Sequence, residues 1–280
     1  MKVFIAGTGT MGIGIAQVFA QAGHDVLLHH HSSPEKAQAG IEKIGKVLSR
    51  LVERGKMNAY VKDEAISNIH TAKALGCAVE CDIVIETITE NIEAKKHLFA
   101  QLDNICTPDA IFATNTSSLS ITEIAAATSR PDKVIGLHFF NPAPLMKLVE
   151  IVRGLKTSEH TFATIFDLCR GLDKESIEVK ETPGFLVNKL LIPMINDAIN
   201  TLDDGIVTAE AIDTAMRLGA GHPMGPLALS DFIGNDIVLD ILNTLWHETG
   251  EQRYRPALLL KKMVHAGHLG KKVGKGFYSY

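Results

Sequence analysis

A glycine loop near the start of the chain narrows the folds that this sequence can adopt. A short apolar segment, Lys2–Ala6, runs directly into the loop GTGTMG at positions 7 to 12, which is followed by apolar residues at helical spacing and by a second strand, Asp25–His29. Strand, G-x-G-x-x-G, helix and strand in this order are typical of a dinucleotide-binding Rossmann unit. Gly7 permits the tight turn, Gly9 lets a pyrophosphate approach the backbone, and Gly12 permits close helix–strand packing. The sequence therefore predicts a doubly wound α/β domain that binds a dinucleotide.

The residue after the second strand bears on which dinucleotide is bound. NAD-binding units usually place an acid there to accept hydrogen bonds from the adenosine ribose. This chain has His30 instead, followed by His31, Ser32 and Ser33, and the first acid is Glu35. An acid would repel the 2′-phosphate of NADP, whereas His and Ser tolerate it. The sequence leaves both NAD and NADP open.

A histidine and a glutamate lie on two predicted strands further along the chain. Val134–Leu137 leads into His138, and Glu150 lies within the apolar segment Leu148–Val152. The prolines between them cannot donate to a central ladder, so the connection is expected to be a loop that brings the two side chains together. A histidine held by a carboxylate is a general base whose imidazolium form is stabilised. The alternative is a structural histidine beside an unrelated glutamate.

The chain changes character at Pro183-Gly184. Buried strands such as Asp82–Glu86 and Ile111–Thr114 precede this point, and only helical periodicity follows it. We expect a Rossmann domain over residues 1–183 and an all-α domain over residues 184–280 that provides substrate contacts and a homodimer interface.

A predicted helix from Ser32 to about Arg54 has a basic face opposite its apolar stripe. Its cations include Lys46 and Arg50, with Lys56 just beyond its end. Such a face is usually solvated. It is alternatively a landing surface for a phosphate-bearing substrate.

Composition excludes several other functions. With 28 basic and 32 acidic residues, the charge is nearly balanced, and nucleic acid is not expected as a partner. No apolar run is long enough to span a membrane. The four cysteines show no zinc-type spacing, and the run of three histidines at positions 29 to 31 would point to alternating faces of a strand, so no metal is expected. Without a signal-peptide pattern, we expect a cytoplasmic protein.

Several motifs along the chain together resemble the 3-hydroxyacyl-CoA dehydrogenase family, most closely its short bacterial 3-hydroxybutyryl-CoA dehydrogenases. The matching motifs run in order over nearly the whole chain, namely the segments 6–16, 115–119, 138–142, 183–188, 222–226 and 274–278.

The resemblance implies a hydride transfer between a nicotinamide cofactor and C3 of an acyl-CoA thioester. It implies His138 as acid/base and Glu150 as its partner. It further implies that Ser117 and Asn188 bind substrate near the reacting oxygen, supported by Asn141. The cofactor contacts that follow from the loop and from the family are Gly7, Thr8, Gly9, Thr10, Met11, Gly12, His30, Glu90, Lys95, Asn115, Ser117 and Asn141. The nucleotide part of CoA would lie near Lys46, Arg50 and Lys56.

Two other functions remain open at this point. A β-hydroxyacid dehydrogenase acting on a free acid typically relies on a catalytic lysine, so the His–Glu pair argues against it. A non-catalytic dinucleotide-binding or structural protein of the same fold is disfavoured because His138, Glu150 and Ser117 are all present.

Overall fold

A computed structural model describes residues 1–280 of the chain. The chain divides into two compact units, Met1–Glu181 and Thr182–Tyr280. The first unit is built on one sheet of eight strands in the spatial order β3-β2-β1-β4-β5-β6-β7-β8. These strands are β1 Lys2–Ala6, β2 Asp25–His29, β3 Ile69–Ala72, β4 Ile83–Glu86, β5 Ile111–Thr114, β6 Val134–Phe139, β7 Leu148–Arg153 and β8 Glu175–Lys180.

Strands β1 to β6 pair in parallel, and the central ones are buried along their whole length. The order 3-2-1-4-5-6 is that of the Rossmann fold, which confirms the predicted fold class. The sheet is connected through α1 Thr10–Gln21, α2 Pro34–Glu53, α3 Ala59–Ser67, α4 Ile92–Asp103, α5 Ile121–Ala125 and α6 Glu159–Gly171.

The predicted apolar stripe of α2 lies against this sheet. Ala37, Ile41, Ile44 and Leu48 are buried in the core shared with β1 and β2. The cations of α2 are exposed on its other side. The helix begins at Pro34 after Ser33, as its sequence predicts, and ends at Glu53.

The direction of the sheet reverses between β6 and β7. These two strands are antiparallel, whereas β8 again runs parallel to β7. The connection from Asn141 to Lys147 contains the prolines that cannot join a central ladder. The lack of a side chain at Gly136 lets Val152 and Ile121 pack closely against β6. A Cβ there would lie 2.8 Å from Cβ of Val152 and 2.9 Å from Cδ1 of Ile121.

The second unit is helical, as the loss of strand periodicity predicts. Its helices are α7 Val187–Asp203, α8 Ala209–Gly219, α9 Pro226–Ile233, α10 Asn235–Thr249 and α11 Leu258–His265. They share a core of aliphatic side chains that includes Ile195, Leu227 and Leu242. No helix of the protein is long and apolar enough to cross a membrane.

A buried carboxylate anchors the end of the chain to this helical unit. Asp231, on α9, is 1% exposed. It accepts hydrogen bonds from the backbone N–H groups of Phe277 and Tyr278, each at 2.9 Å, and from the amide of Asn235 at 2.9 Å. Asp213, also buried, accepts from the hydroxyl of Tyr278 at 2.9 Å, so two carboxylates hold the final segment.

Candidate active site

The glycine loop opens onto a large cleft beside the sheet. Gly7, Thr8 and Gly9 line this cleft, whose volume is about 1160 Å³. Gly7 has a φ of +127°, and a Cβ on Gly12 would lie 2.1 Å from the carbonyl oxygen of Gly7. The turn therefore requires both glycines. Of the predicted loop contacts, Thr10, Met11 and Gly12 begin α1 and do not line the cleft.

This cleft fits a dinucleotide. A Cβ on Gly9 would meet no atom within 4 Å, so the backbone there borders open space. Gly9 is also the N-cap of α1 and offers no side-chain cap, which leaves the positive end of the helix dipole facing the loop. A pyrophosphate can approach the backbone at this point as the motif predicts.

His30 lies on the wall of this cleft, as does His31. The prediction that the three adjacent histidines point to alternating strand faces is wrong. Strand β2 ends at His29, and the rings of His30 and His31 stack with their centroids 4.7 Å apart. His29 is buried and its Nδ1 lies 3.1 Å from the carbonyl oxygen of Ala72.

A buried ionic cluster lies at the carboxyl end of β4. The carboxylate of Glu86 is fully buried and accepts from Lys95 Nζ at 2.7 and 2.9 Å, from the Thr114 hydroxyl at 2.6 Å and from the Ile88 N–H at 2.6 Å. Burial raises the pKa of Glu86, and Lys95 opposes this effect. With three donor groups arranged around it, Glu86 is held as the anionic partner of a buried ammonium.

Lys95 connects this cluster to Glu90. Its Nζ lies 3.2 Å from Glu90 Oε2, and Glu90 Oε1 accepts from the Ser117 N–H at 2.8 Å, the Ser117 hydroxyl at 3.1 Å and the Thr116 hydroxyl at 2.6 Å. Burial acts to raise the pKa of Glu90, but Lys95 and these hydrogen bonds outweigh it and hold that pKa below its ordinary value. The predicted residues Glu90, Lys95 and Ser117 therefore form one network.

Sequence reasoning missed Glu86 and Thr114 in this network. A charged residue that ends an otherwise apolar central strand was an available signal, because a buried charge requires a partner.

His138 and Glu150 lie directly opposite each other in the antiparallel pair β6–β7. Opposite residues in such a pair project from the same face of the sheet. The distance from His138 Nδ1 to Glu150 Oε2 is 2.7 Å, and the two side chains are 8% and 0% exposed. The expected meeting of these residues is thus observed, although it depends on strand register in addition to the loop. The carboxylate fixes the orientation of the ring and directs Nε2 away from Glu150.

Asn115, which directly follows β5, contacts the backbone of β6 next to His138. Its Oδ1 accepts a hydrogen bond from the backbone N–H of Phe139 at 2.9 Å, next to His138. The glycine loop, Glu86, Asn115 and His138 all lie at or beyond the carboxyl ends of parallel strands, where open α/β sheets bind ligands.

Lys174 stabilises the loop after β6 through two hydrogen bonds. This buried ammonium donates to the carbonyl oxygens of Ala143 and Met146, both at 2.7 Å. Burial lowers the pKa of Lys174. Asn141 is exposed at the start of this loop. Sequence reasoning did not identify Lys174 as its support.

The remaining predicted residues lie elsewhere. Lys46 and Arg50 border a shallow pocket of about 470 Å³ together with Glu42 and Glu53, so their positive charge is partly offset. Lys56 is exposed beyond α2. Asn188 lies in the first turn of α7, in the second unit.

Models of one protein family match both units of the chain. Residues 2–182 match the family model "3-hydroxyacyl-CoA dehydrogenase, NAD binding domain", and residues 184–280 match "3-hydroxyacyl-CoA dehydrogenase, C-terminal domain". The chain belongs to the 3-hydroxyacyl-CoA dehydrogenase family. It is therefore an oxidoreductase with an NAD-binding domain of the Rossmann type.

Members of this family resemble the chain over its full length. It is 49% identical to a 3-hydroxybutyryl-CoA dehydrogenase of Clostridioides difficile, covering 100% of this chain and 99% of the relative. It is 50% identical to a probable 3-hydroxybutyryl-CoA dehydrogenase of Bacillus subtilis, covering 100% and 97%. A crystal structure of (S)-3-hydroxybutyryl-CoA dehydrogenase from Ralstonia eutropha matches with a TM-score of 0.96 at 45% identity, covering 100% and 98%.

Proposed function

We propose that this protein transfers a hydride between NAD or NADP and C3 of a short-chain 3-hydroxyacyl-CoA or 3-oxoacyl-CoA, with 3-hydroxybutyryl-CoA and acetoacetyl-CoA as the substrate pair. The observation that carries the proposal is the 2.7 Å contact between His138 Nδ1 and Glu150 Oε2 at the sheet edge that also bears the glycine loop. The full-length relatives named for this activity support the choice of substrate.

His138 is proposed to act as the acid/base. When bound, NAD or NADP supplies the hydride acceptor or donor. In the oxidising direction, Nε2 of His138 accepts the proton of the 3-hydroxyl group as the hydride leaves C3 and the carbonyl forms. In the reducing direction, the same nitrogen returns the proton to the oxygen. Glu150 stabilises the imidazolium in both directions, since its carboxylate accepts a hydrogen bond from the Nδ1–H group of His138.

Ser117, Asn141 and Asn188 are proposed to bind the substrate near its reacting oxygen. Neutral hydroxyl and amide groups can donate to a developing alkoxide without competing for its proton. Glu90 orients Ser117 by accepting from both its N–H and its hydroxyl. Glu90, Lys95 and Asn115 are proposed to border the nicotinamide end of the cofactor.

The proposal is tested by following the absorbance at 340 nm when acetoacetyl-CoA is added with NADH or with NADPH. Oxidation of the reduced cofactor is the expected result. Free acetoacetate as substrate tests the runner-up activity on free acids, because turnover of the acid at a rate equal to that of the thioester would contradict a CoA-specific site. A chain that binds a dinucleotide but turns over neither substrate would be a non-catalytic member of the fold.

The basic face of α2 is proposed to receive the nucleotide part of CoA. Reversing Lys46 and Arg50 to Glu is expected to raise the KM for acetoacetyl-CoA, and more so at low salt because screening is weaker. The KM for a pantetheine thioester, which lacks the nucleotide phosphates, should barely change. If both KM values rise equally, this face is a solvated surface, as the neighbouring Glu42 and Glu53 would also allow.

A homodimer formed through the helical unit is also proposed. Large apolar side chains are exposed on that unit, including Leu190, Leu218 and Phe232 at 64%, 79% and 51%. Exposed apolar surface of this kind marks interaction sites. Light scattering during size-exclusion chromatography checks the prediction, and a monomeric mass would contradict it.

A further inference from the structure

The cleft beyond β2 carries an excess of positive charge. Lys36 and Lys43, from α2, and Lys73, which directly follows β3, line the same cleft as His30. The three lysines thus reach the cleft from two different segments of the chain. No aspartate or glutamate lines this cleft. In a Rossmann unit, the end of the cleft beside the second strand holds the adenosine ribose.

These lysines are not neutralised locally. Other lysines of the first unit, such as Lys2, Lys62 and Lys96, form ion pairs, whereas none of the three cleft lysines does.

The nearest acids in the sequence are directed elsewhere. Glu35 accepts a hydrogen bond from the Ser33 hydroxyl at 2.5 Å and does not line the cleft. Glu42 borders the separate pocket that contains Lys46. The field at this end of the cleft is therefore set by the cations.

His30 is arranged as a neutral donor beside them. The backbone N–H of Ser32 donates to His30 Nδ1 at 3.2 Å, so the ring carries its proton on Nε2. Burial and then the nearby Lys36 lower the pKa of His30, which keeps the ring uncharged at neutral pH. An acid at this position would repel a phosphate, whereas the neutral ring can donate to one.

We propose that Lys36, Lys43, Lys73 and His30 form a binding site for the 2′-phosphate of NADP(H), and that the enzyme consequently prefers NADP(H) to NAD(H). The inference rests on the proposed function, because it assigns the adenosine end of the same dinucleotide cleft. A dianionic 2′-phosphate offers three acceptor oxygens to these cations, whereas the 2′-hydroxyl of NAD would leave them without an anionic partner.

The test measures binding without catalysis. Isothermal titration calorimetry of the parent protein with 2′,5′-ADP and with 5′-AMP isolates the 2′-phosphate, because the two nucleotides differ only in that group. We expect 2′,5′-ADP to bind about tenfold tighter or more, since one charge-assisted hydrogen bond alone accounts for roughly that ratio. The advantage should shrink as salt is raised. Equal affinities, or tighter binding of 5′-AMP, would overturn the proposal.

Variants assign the effect to residues. Lys73→Met and Lys36→Met should each weaken 2′,5′-ADP binding about tenfold and leave the affinity for 5′-AMP within about twofold. Lys156→Met is the control, because Lys156 is exposed and does not line the cleft, and it should change neither affinity. His30→Asp should reverse the preference. Equal losses for both nucleotides in the lysine variants would contradict a phosphate site.

Failure of this inference is distinguishable from failure of the proposed function. If neither nucleotide binds, the cleft does not bind a dinucleotide, and both the proposed function and the 2′-phosphate site are contradicted. If 5′-AMP binds at least as well as 2′,5′-ADP and NADH reduces acetoacetyl-CoA with a kcat/KM equal to or above that of NADPH, the function stands and the phosphate site does not.

Discussion

The variant His138→Asn is expected to lose turnover by a factor of about 10²–10⁴, the usual contribution of a positioned acid/base group. Asparagine can still donate an amide hydrogen to the buried carboxylate of Glu150 in place of Nδ1, so the carboxylate keeps a hydrogen-bond donor. It offers no group that accepts the substrate proton. Steady-state kinetics with acetoacetyl-CoA measures the loss.

Cofactor binding provides the internal control for this variant. The glycine loop, with Gly9, is not altered by the substitution, so the Kd for the dinucleotide should stay within about twofold of the parent value. The companion variant Glu150→Gln should also lower kcat, because it removes the charge that stabilises the imidazolium. Unchanged turnover in His138→Asn would remove this residue from the mechanism, and an unaltered pH–rate profile in Glu150→Gln would contradict the pairing.

The second large effect is expected on stability. Asp231→Ala should lower the free energy of unfolding by about 3 kcal/mol, because removing a buried acceptor leaves its donors unsatisfied at a cost of roughly 1–3 kcal/mol each. The donors are the N–H groups of Phe277 and Tyr278 and the amide of Asn235. Urea unfolding followed by circular dichroism gives the value.

A surface carboxylate serves as the matched control. Asp197 is exposed on α7, and Asp197→Ala should change the stability by less than about 0.5 kcal/mol. A second variant tests the same anchor from the other side, since a Cβ on Gly276 would lie 1.8 Å from Asp231 Oδ1. Gly276→Ala should therefore be destabilising too. If Asp231→Ala unfolds at the same urea concentration as Asp197→Ala, the anchor does not stabilise this unit.

Local patterns in the sequence predicted much of this molecule. The glycine loop between β1 and α1, the apolar stripe of α2 and the loss of strand periodicity after Pro183-Gly184 each lie within one segment of the chain. Their physical causes, namely turn geometry and side-chain periodicity, are local as well. The helix α3 was missed because it buries only Ala65, and such a segment carries little periodic signal.

Features that depend on several segments were harder to predict. The helix α9 was also missed, since it is short and begins at a proline within a loop-like sequence. Glu86 meets Lys95 only because β4 and α4 pack together, and Lys73 reaches the cleft only because β3 pairs with β2. No spacing within a single segment records these contacts. The His138–Glu150 pair was predictable as a hypothesis, but its direct cross-strand register required the antiparallel ladder.

The antiparallel pairing of β6 and β7 limits where residues can be inserted or deleted. Because His138 and Glu150 are a directly opposed pair, inserting or deleting one residue within either strand would turn one partner to the opposite face of the sheet. The same change would place a fully buried apolar neighbour, Leu137 or Ile151, on the face that now holds that partner. A length change within either strand would therefore both separate His138 from Glu150 and disturb the core. Length changes that preserve both are confined to the connecting loop, outside the two strands.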